Sequence, residues 1–471
     1  MVLEMRLKVG NMKLIFQNEQ GGKEMKKGVL ALILLGVVML WSLQPAVAKD
    51  IDDEVAELKA RIEQLEKKVA EREVHARAVM EDRKALSKIK EAYERLTLGA
   101  SLTSTFQVTA NRDGKDPNDG ALSGYVEIGA SIGSLGRLYA NFEGARGEGV
   151  PRKLDVSERL GINLPCLTGV NEDVDPRGDN QWYDLIEAYW EPSFYNGRLI
   201  FNIGKLDPTM WVDGNAVMND ETTQFLSNIF VNQIAMGFQE GIRVYAPGIR
   251  VGMRPTDWLE INLEWFKAAG DVFEDLFDHP FGIWEFNLKP NLGGLEGNYR
   301  FYGWYDGQEH AKWSQYNPTT GTVSGDAKSS NVGFGLSWDQ MISRNITLAA
   351  RFGMQNNGIA GRVASGALDT AFFPYSWSIG GQITGAGWGR ENDVLGLAYG
   401  QAVTGNDFRN YLRSQGVINP APYEGHFEAY YSFALSEHLA ISPDIQVISN
   451  LGGDDDAPTV TIFGLRSQLE F

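Results

Sequence analysis

Beyond residue 97 apolar and polar residues alternate in short runs, the period-two pattern of extended strands with one dry face. The pattern is sharpest in residues 459–471 (TVTIFGLRSQLEF), where Phe463, Leu465 and Leu469 fall on one side and Arg466, Gln468 and Glu470 on the other. A strand divided in this way has to separate an apolar medium from water. Ending on an aromatic residue, Phe471, is what the closing strand of an outer-membrane β-barrel looks like. A soluble sandwich with an amphipathic edge strand is the alternative for this segment alone.

Counting alternating runs back from Phe471 predicts about sixteen strands. They fall at 98–109, 121–131, 136–145, 182–191, 197–205, 238–252, 258–269 and 281–289, then 298–307, 331–340, 345–356, 375–385, 392–403, 425–435, 439–449 and 458–471. The links alternate in length. Every second one is a short turn (IGSLG, PSFYNG, RPTD, PNLGGLEG, MISRN, GAGWGRE, SEH), and most of the others are long, such as 146–181, 206–237 and 404–424. Short periplasmic turns alternating with long outer loops are the habit of a transmembrane antiparallel barrel, and an even count leaves both ends on the periplasmic side.

The front of the chain supports export. Met25, Lys26 and Lys27 precede the apolar run GVLALILLGVVMLWSL, and Pro45 with Ala46-Val47-Ala48 follows. This reads as a secretory signal, with Met25 as the expected start codon and Lys49 as the expected first mature residue; a membrane anchor is the alternative. Domains are therefore expected at 1–48 (upstream extension and cleaved signal peptide), 49–96 and 97–471. The middle segment lacks glycine and proline, and Ile51, Val55, Leu58, Ile62, Leu65 and Val69 step by fours and threes, as a coiled-coil seam does. Fully helical it would reach about 70 Å at roughly 1.5 Å per residue, as a periplasmic stalk. Such a stalk is a spacer, a self-association element or a contact to peptidoglycan.

Composition narrows the function. The 471 residues hold 53 Gly, 12 Trp, 17 Tyr and 23 Phe, and a net charge of −18 excludes nucleic acid as a natural partner. A mean hydropathy of −0.25 is too polar for a helical membrane protein. Cys166 is the only cysteine, so neither an intramolecular disulfide nor a thiolate metal cluster is expected, and the 5 histidines show no zinc spacing. His279, His310, His426 and His438 have no hydrolase pattern around them, and neither an enzyme activity nor a cofactor is expected.

Alternation assigns Leu259, Ile261, Leu263 and Trp265 to lipid and Glu260, Asn262 and Glu264 to water. The same parity turns Glu127, Asn141, Glu143, Glu187, Arg243, Glu285, Arg300, Arg351, Glu428 and Arg466 inward. An arginine at the lipid midplane costs about 2 to 4 kcal/mol, so a water-filled lumen of mixed charge is expected. The link after the fifth strand, GKLDPTMWVDGNAVMNDETTQFLSN, is too long and too apolar in places for an ordinary solvated loop. Trp211, Met218, Phe225 and Leu226 can pack on the inner wall while Asp213, Asn215, Asn219, Asp220, Glu221 and Gln224 face the pore. Carboxylates and amides accept sugar hydroxyls, and aromatic rings stack on C–H faces. From inward parity alone, Glu187, Arg243 and Arg351 join the pore-lining candidates.

That loop sequence, together with DVLGLAYG (393–400) and EAYYSFALSEHLAISPDIQVISNLGG (428–453), resembles the carbohydrate-selective porins of the OprB family. The resemblance covers most of 97–471 and implies a sixteen-stranded outer-membrane porin passing monosaccharides and other small polar solutes by facilitated diffusion. It also implies that Phe471 is the sorting mark read by the outer-membrane assembly machinery. The coiled coil lies outside the family's barrel pattern, which leaves a homo-oligomer open. A general or ion-selective porin, and a tether between outer membrane and cell wall with incidental conductance, are the alternative readings.

Overall fold

The computed structural model describes residues 5–9, 12–16, 60–61, 64, 95–110, 118–147, 150, 183–236, 245–267, 277–317, 322–323, 328–364, 367–368 and 374–471. The chain divides into two compact units, Met1–Lys90 and Glu91–Phe471. In the first, Met5–Val9 pairs antiparallel with Met12–Phe16, and Ala60, Arg61 and Gln64 are helical. The signal segment, the whole heptad seam, Cys166 and Arg243 lie outside the described residues.

The second unit is a closed antiparallel barrel. Its sixteen long strands are β1 (Leu96–Ala110), β2 (Asn118–Ser131), β3 (Arg137–Arg146), β4 (Tyr183–Glu191), β5 (Leu199–Leu206), β6 (Ala246–Thr256), β7 (Leu259–Lys267) and β8 (Pro280–Leu288). They continue as β9 (Leu295–Lys312), β10 (Lys328–Ser343), β11 (Ile346–Gln355), β12 (Tyr375–Gly385), β13 (Arg390–Val403), β14 (Tyr423–Ala434), β15 (Leu439–Ser449) and β16 (Val460–Glu470). Each pairs with its sequence neighbours, and β16 closes on β1 with Phe463 opposite Val108 and Glu470 opposite Ser101. No edge is left open, which is the condition for placing strands in hydrocarbon.

Strand number and the phase of short and long links are as the sequence predicts. Boundaries differ in places: the described β6 begins at Ala246 rather than 238, β9 runs on to Lys312, and β6 continues through Arg254 and Pro255 to Thr256, so the expected turn RPTD shrinks to Asp257 and Trp258. Proline is tolerated there because it sits near a strand end. The β4–β5 turn shows how local sequence directs the chain back. Tyr195 and Asn196 adopt φ of 52° and 58° and Gly197 follows at 82°, the left-handed backbone whose twist matches a hairpin.

Alternation sorts the wall. Leu465 is 52% exposed on the outside of β16 while Arg466 beside it is 1% exposed within. The inside, however, is not evenly solvated. Val212, Met236 and Leu206 pack with Phe266, Phe281, Tyr302 and Trp304 of the wall, and Val217, Met218, Phe225, Ile229 and Phe230 pack with Ala349, Ala398 and Tyr430. The expectation that each inward charge faces water is corrected here. Several of them lie buried between the wall and the β5–β6 loop, which folds back into the barrel.

Candidate functional site: the inserted loop and the bare wall

The loop leaves β5 through a short turn, Pro208–Met210, capped by Asp207, whose Oδ1 accepts from the Thr209 amide and hydroxyl, each at 2.7 Å. It then runs across the inside of the barrel, and wall side chains from β6 to β16 hold its backbone. Asn262 Nδ2 donates to Trp211 O at 2.9 Å, and the Arg250 guanidinium lies 4.9 Å from the centre of the Trp211 ring. Glu285 accepts from the Asp213 amide at 2.8 Å, and Ser337 donates to Gly214 O at 2.8 Å. Gln382 donates to Val217 O at 3.2 Å, and Arg466 Nη1 to Glu221 O at 2.7 Å. Glu428 accepts from the amides of Leu226 and Ser227, at 2.5 and 2.8 Å.

The centre of this network is Asp213, in left-handed backbone at φ 61°. Tyr302 Oη and Arg351 Nε both donate to its Oδ1, at 2.7 and 3.0 Å, while the Gln233 amide donates to Oδ2 at 2.6 Å. Arg351 also donates to the carbonyls of Asp213, Met218 and Phe230 and to Asn219 Oδ1. A buried loop has backbone groups that water cannot satisfy, and here charged side chains satisfy them.

The predicted site residues therefore separate into two sets. Asp213, Asn215 and Arg351 lie together, buried, in the anchoring network; Asn215 Nδ2 reaches Ser337 Oγ and Trp338 O, each at 3.2 Å. Trp211 is half-buried, edge-on to Tyr189 at 5.9 Å. Asp220, Glu221 and Gln224 form the loop's half-exposed tip. There Asp220 Oδ1 accepts from the Thr222 amide at 2.8 Å, and Gln224 Oε1 accepts from the Asn219 amide at 2.7 Å. Enclosure by the barrel and the neighbouring Asp220 carboxylate push the Glu221 carboxyl up to about 7. Glu187 stands on β4, beside Asp207 at the start of the loop. Tyr302, Gln382, Ser337 and Asn262 do not figure among the predicted site residues; the available signal is an inward polar residue on a strand, without a way to pair it with a loop remote in sequence.

Strands β1–β4 touch the loop less: Glu187 accepts from the Asp207 backbone, and Tyr139 and Tyr189 pack with Leu206 and Val212. Their inward face carries buried polar atoms with no hydrogen-bond partner in the protein: Thr105 Oγ1, both ends of the Gln107 amide, Ser123 Oγ, Asn141 Oδ1 and Glu187 Oε1. Buried polar groups are rarely left so.

One arrangement has the order of a hydrolase relay. Ser227 Oγ lies 3.4 Å from His426 Nδ1, and His426 Nε2 lies 2.8 Å from Glu424 Oε1. All three residues are sealed from solvent. The Ser227 amide points at the Glu428 carboxylate, where a catalytic serine needs donors facing an oxyanion. Glu424 Oε2 accepts from Gly452 N at 2.6 Å, so the row is a strut from the loop's end to the β15–β16 loop.

Residues 126–471 match the family model of the carbohydrate-selective porins, OprB family. The chain belongs to the OprB family. Among solved structures, the high-pH form of Pseudomonas putida OprB matches with a TM-score of 0.67 at 16% identity, covering 81% of this chain and 96% of that one. The low-pH form of the same protein matches with a TM-score of 0.48 at 12% identity, over 83% and 98% of the two chains. No curated protein matches the chain. Family and barrel together mark this porin as an outer-membrane channel rather than an enzyme.

Proposed function

We propose that this OprB-family porin passes monosaccharides and other small polar solutes by facilitated diffusion between the tip of the inserted loop and the bare wall of β1–β4. The observation that supports the reading is the set of inward polar side chains on that wall, Thr105, Gln107 and Ser123, that make no hydrogen bond within the protein, while the loop's backbone is held by the other strands. Hydroxyls of an uncharged sugar can both donate to and accept from Gln107, Thr105, Ser123 and Asn141. The contacts replace part of the sugar's hydration without a closed pocket, so the solute is released as readily as it is held. Asp220, Glu221 and Gln224 supply the facing side. No energy source is required.

Proteoliposome swelling tests the reading. Hexoses are expected to enter faster than disaccharides, and Gln107→Ala with Ser123→Ala to slow hexoses while leaving salt conductance near the parent value. Liposomes that swell with no sugar would overturn it in favour of an ion channel. For the segment 49–96 we infer a periplasmic spacer that associates with copies of itself; removing it is expected to change the oligomer seen by cross-linking and leave swelling intact.

A further inference from the structure

Three acceptors stand side by side on the bare wall. Glu127 on β2 is in register with Asn141 on β3, and Asn141 with Glu187 on β4. Immediately beyond Asn141 the β3–β4 register slips by one, leaving Ile186 as the extra residue of a bulge. Bulges of this kind re-aim side chains, and this one keeps Glu187 and Tyr189 directed inward below it. Asn141 is 6% exposed, and its Oδ1 has no hydrogen-bond donor although it lies between two carboxylates. Asp207, at the start of the inserted loop, adds a fourth acidic group next to Glu187.

The basic side chains of the lumen are engaged elsewhere. Arg351 pairs with Asp213 at 3.0 Å and Arg300 with Asp339 at 2.6 Å. Arg250 is held by Asn202 and Asn262, and Arg466 by Glu221 O. Lys205, on the outward row of β5, pairs with Asp184 at 3.5 Å. The nearest cation on the wall is Arg137, stacked on Tyr139 at 5.0 Å, two residues before Asn141. Asn141 and the Asp207 backbone serve Glu187, Tyr139 serves Glu127 and Thr209 serves Asp207, yet Asn141 Oδ1 and Glu187 Oε1 keep no partner, and this surplus of acceptor oxygens is complementary to a group that carries positive charge and donates hydrogen bonds.

Resting on the porin reading, we propose that Glu127, Asn141, Glu187 and Asp207 form a seat for a monovalent cationic group, so that the porin favours hydrated alkali cations and amino sugars over anions and acidic sugars. The shared chemistry is a single positive charge, supplied by potassium or by the ammonium of glucosamine. Glu127 is the exposed end of the seat, with Asn141 and Glu187 buried behind it, and a solute is slowed there rather than trapped. Acidic sugars meet uncompensated carboxylates at the same place and are turned back.

The test uses the full-length protein in planar bilayers under a potassium chloride gradient, with proteoliposome swelling in glucosamine, glucose and glucuronate alongside. The expected zero-current potential has the sign of a cation-preferring channel, and glucosamine enters severalfold faster than glucuronate. Glu127→Gln with Glu187→Gln should bring both ratios towards one while glucose swelling and channel conductance show that the barrel is intact. Asn141→Asp should move both ratios the other way, which gives a second reading if the double variant inserts poorly. An anion-preferring parent channel, or ratios unmoved by either variant, would overturn the seat. Glucose that fails to enter while potassium is still preferred would instead defeat the sugar-porin reading and leave the seat standing; discrimination of the two sugars without ion preference would assign the effect to the ring substituents and defeat it.

Discussion

Asp213 and Arg351 meet inside the barrel at 3.0 Å although 138 residues separate them in sequence. One comes from a loop and the other from the wall, and each satisfies backbone groups around its partner. Asp213 receives Tyr302 and the Gln233 amide, while Arg351 reaches three loop carbonyls. The pair is the pin on which the inserted loop turns.

Removing one partner of a buried pair strands the other charge, at a cost of about 3 to 5 kcal/mol. Arg351→Ala is therefore expected to free the loop from β11, lower the melting temperature in detergent, and widen and destabilise the single-channel current. Arg351→Lys should recover little, because an ammonium cannot span the donors that the guanidinium fork supplies. A melting temperature and conductance equal to the parent's would show that the loop is held by its apolar contacts alone.

Glu428 is the second anchor, accepting from two successive amides at Leu226 and Ser227. Hydrogen bonds to a charged group contribute about 1.5 to 3 kcal/mol. Glu428→Gln keeps an acceptor for one amide and is expected to weaken the loop's end by part of that amount, with Glu428→Ala weaker still. Proteolysis of the folded protein within 216–233 measures the difference; equal resistance in all three proteins would contradict the assignment.

The Glu221 carboxyl, lifted to about 7 by enclosure and by Asp220, is protonated below that pH and charged above it. Raising the pH through about 7 therefore adds negative charge at the loop tip, and cation preference should rise in step. Glu221→Gln is expected to flatten this dependence. A reversal potential whose pH profile is the same in both proteins would mean that another group sets it.

Tyr302 reaches Asp213 across Gly335 of the next strand. A side-chain carbon at Gly335 would lie 2.1 Å from the Tyr302 ring, so the ring has its place only because the glycine leaves it open. Gly335→Val should cost about 1 to 3 kcal/mol by overpacking and should displace the tyrosine from Asp213. Tyr302→Phe separates the two effects, because it removes only the hydrogen bond. If Gly335→Val melts like the parent, the ring has another place to go.

At the other end of the barrel, the Phe471 amide donates to Ala100 O at 2.8 Å and its ring stacks on His438 at a centroid distance of 5.8 Å. Deleting Phe471 removes this closing clasp together with the exposed aromatic end. We expect less protein inserted in the outer membrane, with the ion selectivity of the inserted fraction unchanged. Normal insertion would dispose of the sorting role.

The wall was legible in the sequence because its signals are local. A period of two, seven short turns and an aromatic end require no knowledge of distant partners, and they place most strands within a few residues of where they lie, the start of β6 at Ala246 rather than 238 being the widest miss. Inward parity likewise finds Glu187, Arg351, Glu428 and Arg466. What parity cannot tell is which inward charge meets water and which meets the loop, because Asp213 with Arg351, Leu226 with Glu428 and Ser227 with His426 are pairs between residues far apart in the chain. For the same reason the Ser227–His426–Glu424 row left no trace around the histidine in the sequence. The loop itself was recognisable by its length and its buried-looking aromatics, while its course along β6 to β16 was not.

The lopsided anchoring of the loop separates two kinds of residue that most channels mix. Substitutions among the residues that grip the loop endanger the fold, whereas Thr105 Oγ1, Ser123 Oγ and the Gln107 amide make no hydrogen bond within the protein. Exchanging them costs no hydrogen bond, so a lineage, or a designer, could change what this channel admits at these positions with replacements that keep their buried volume.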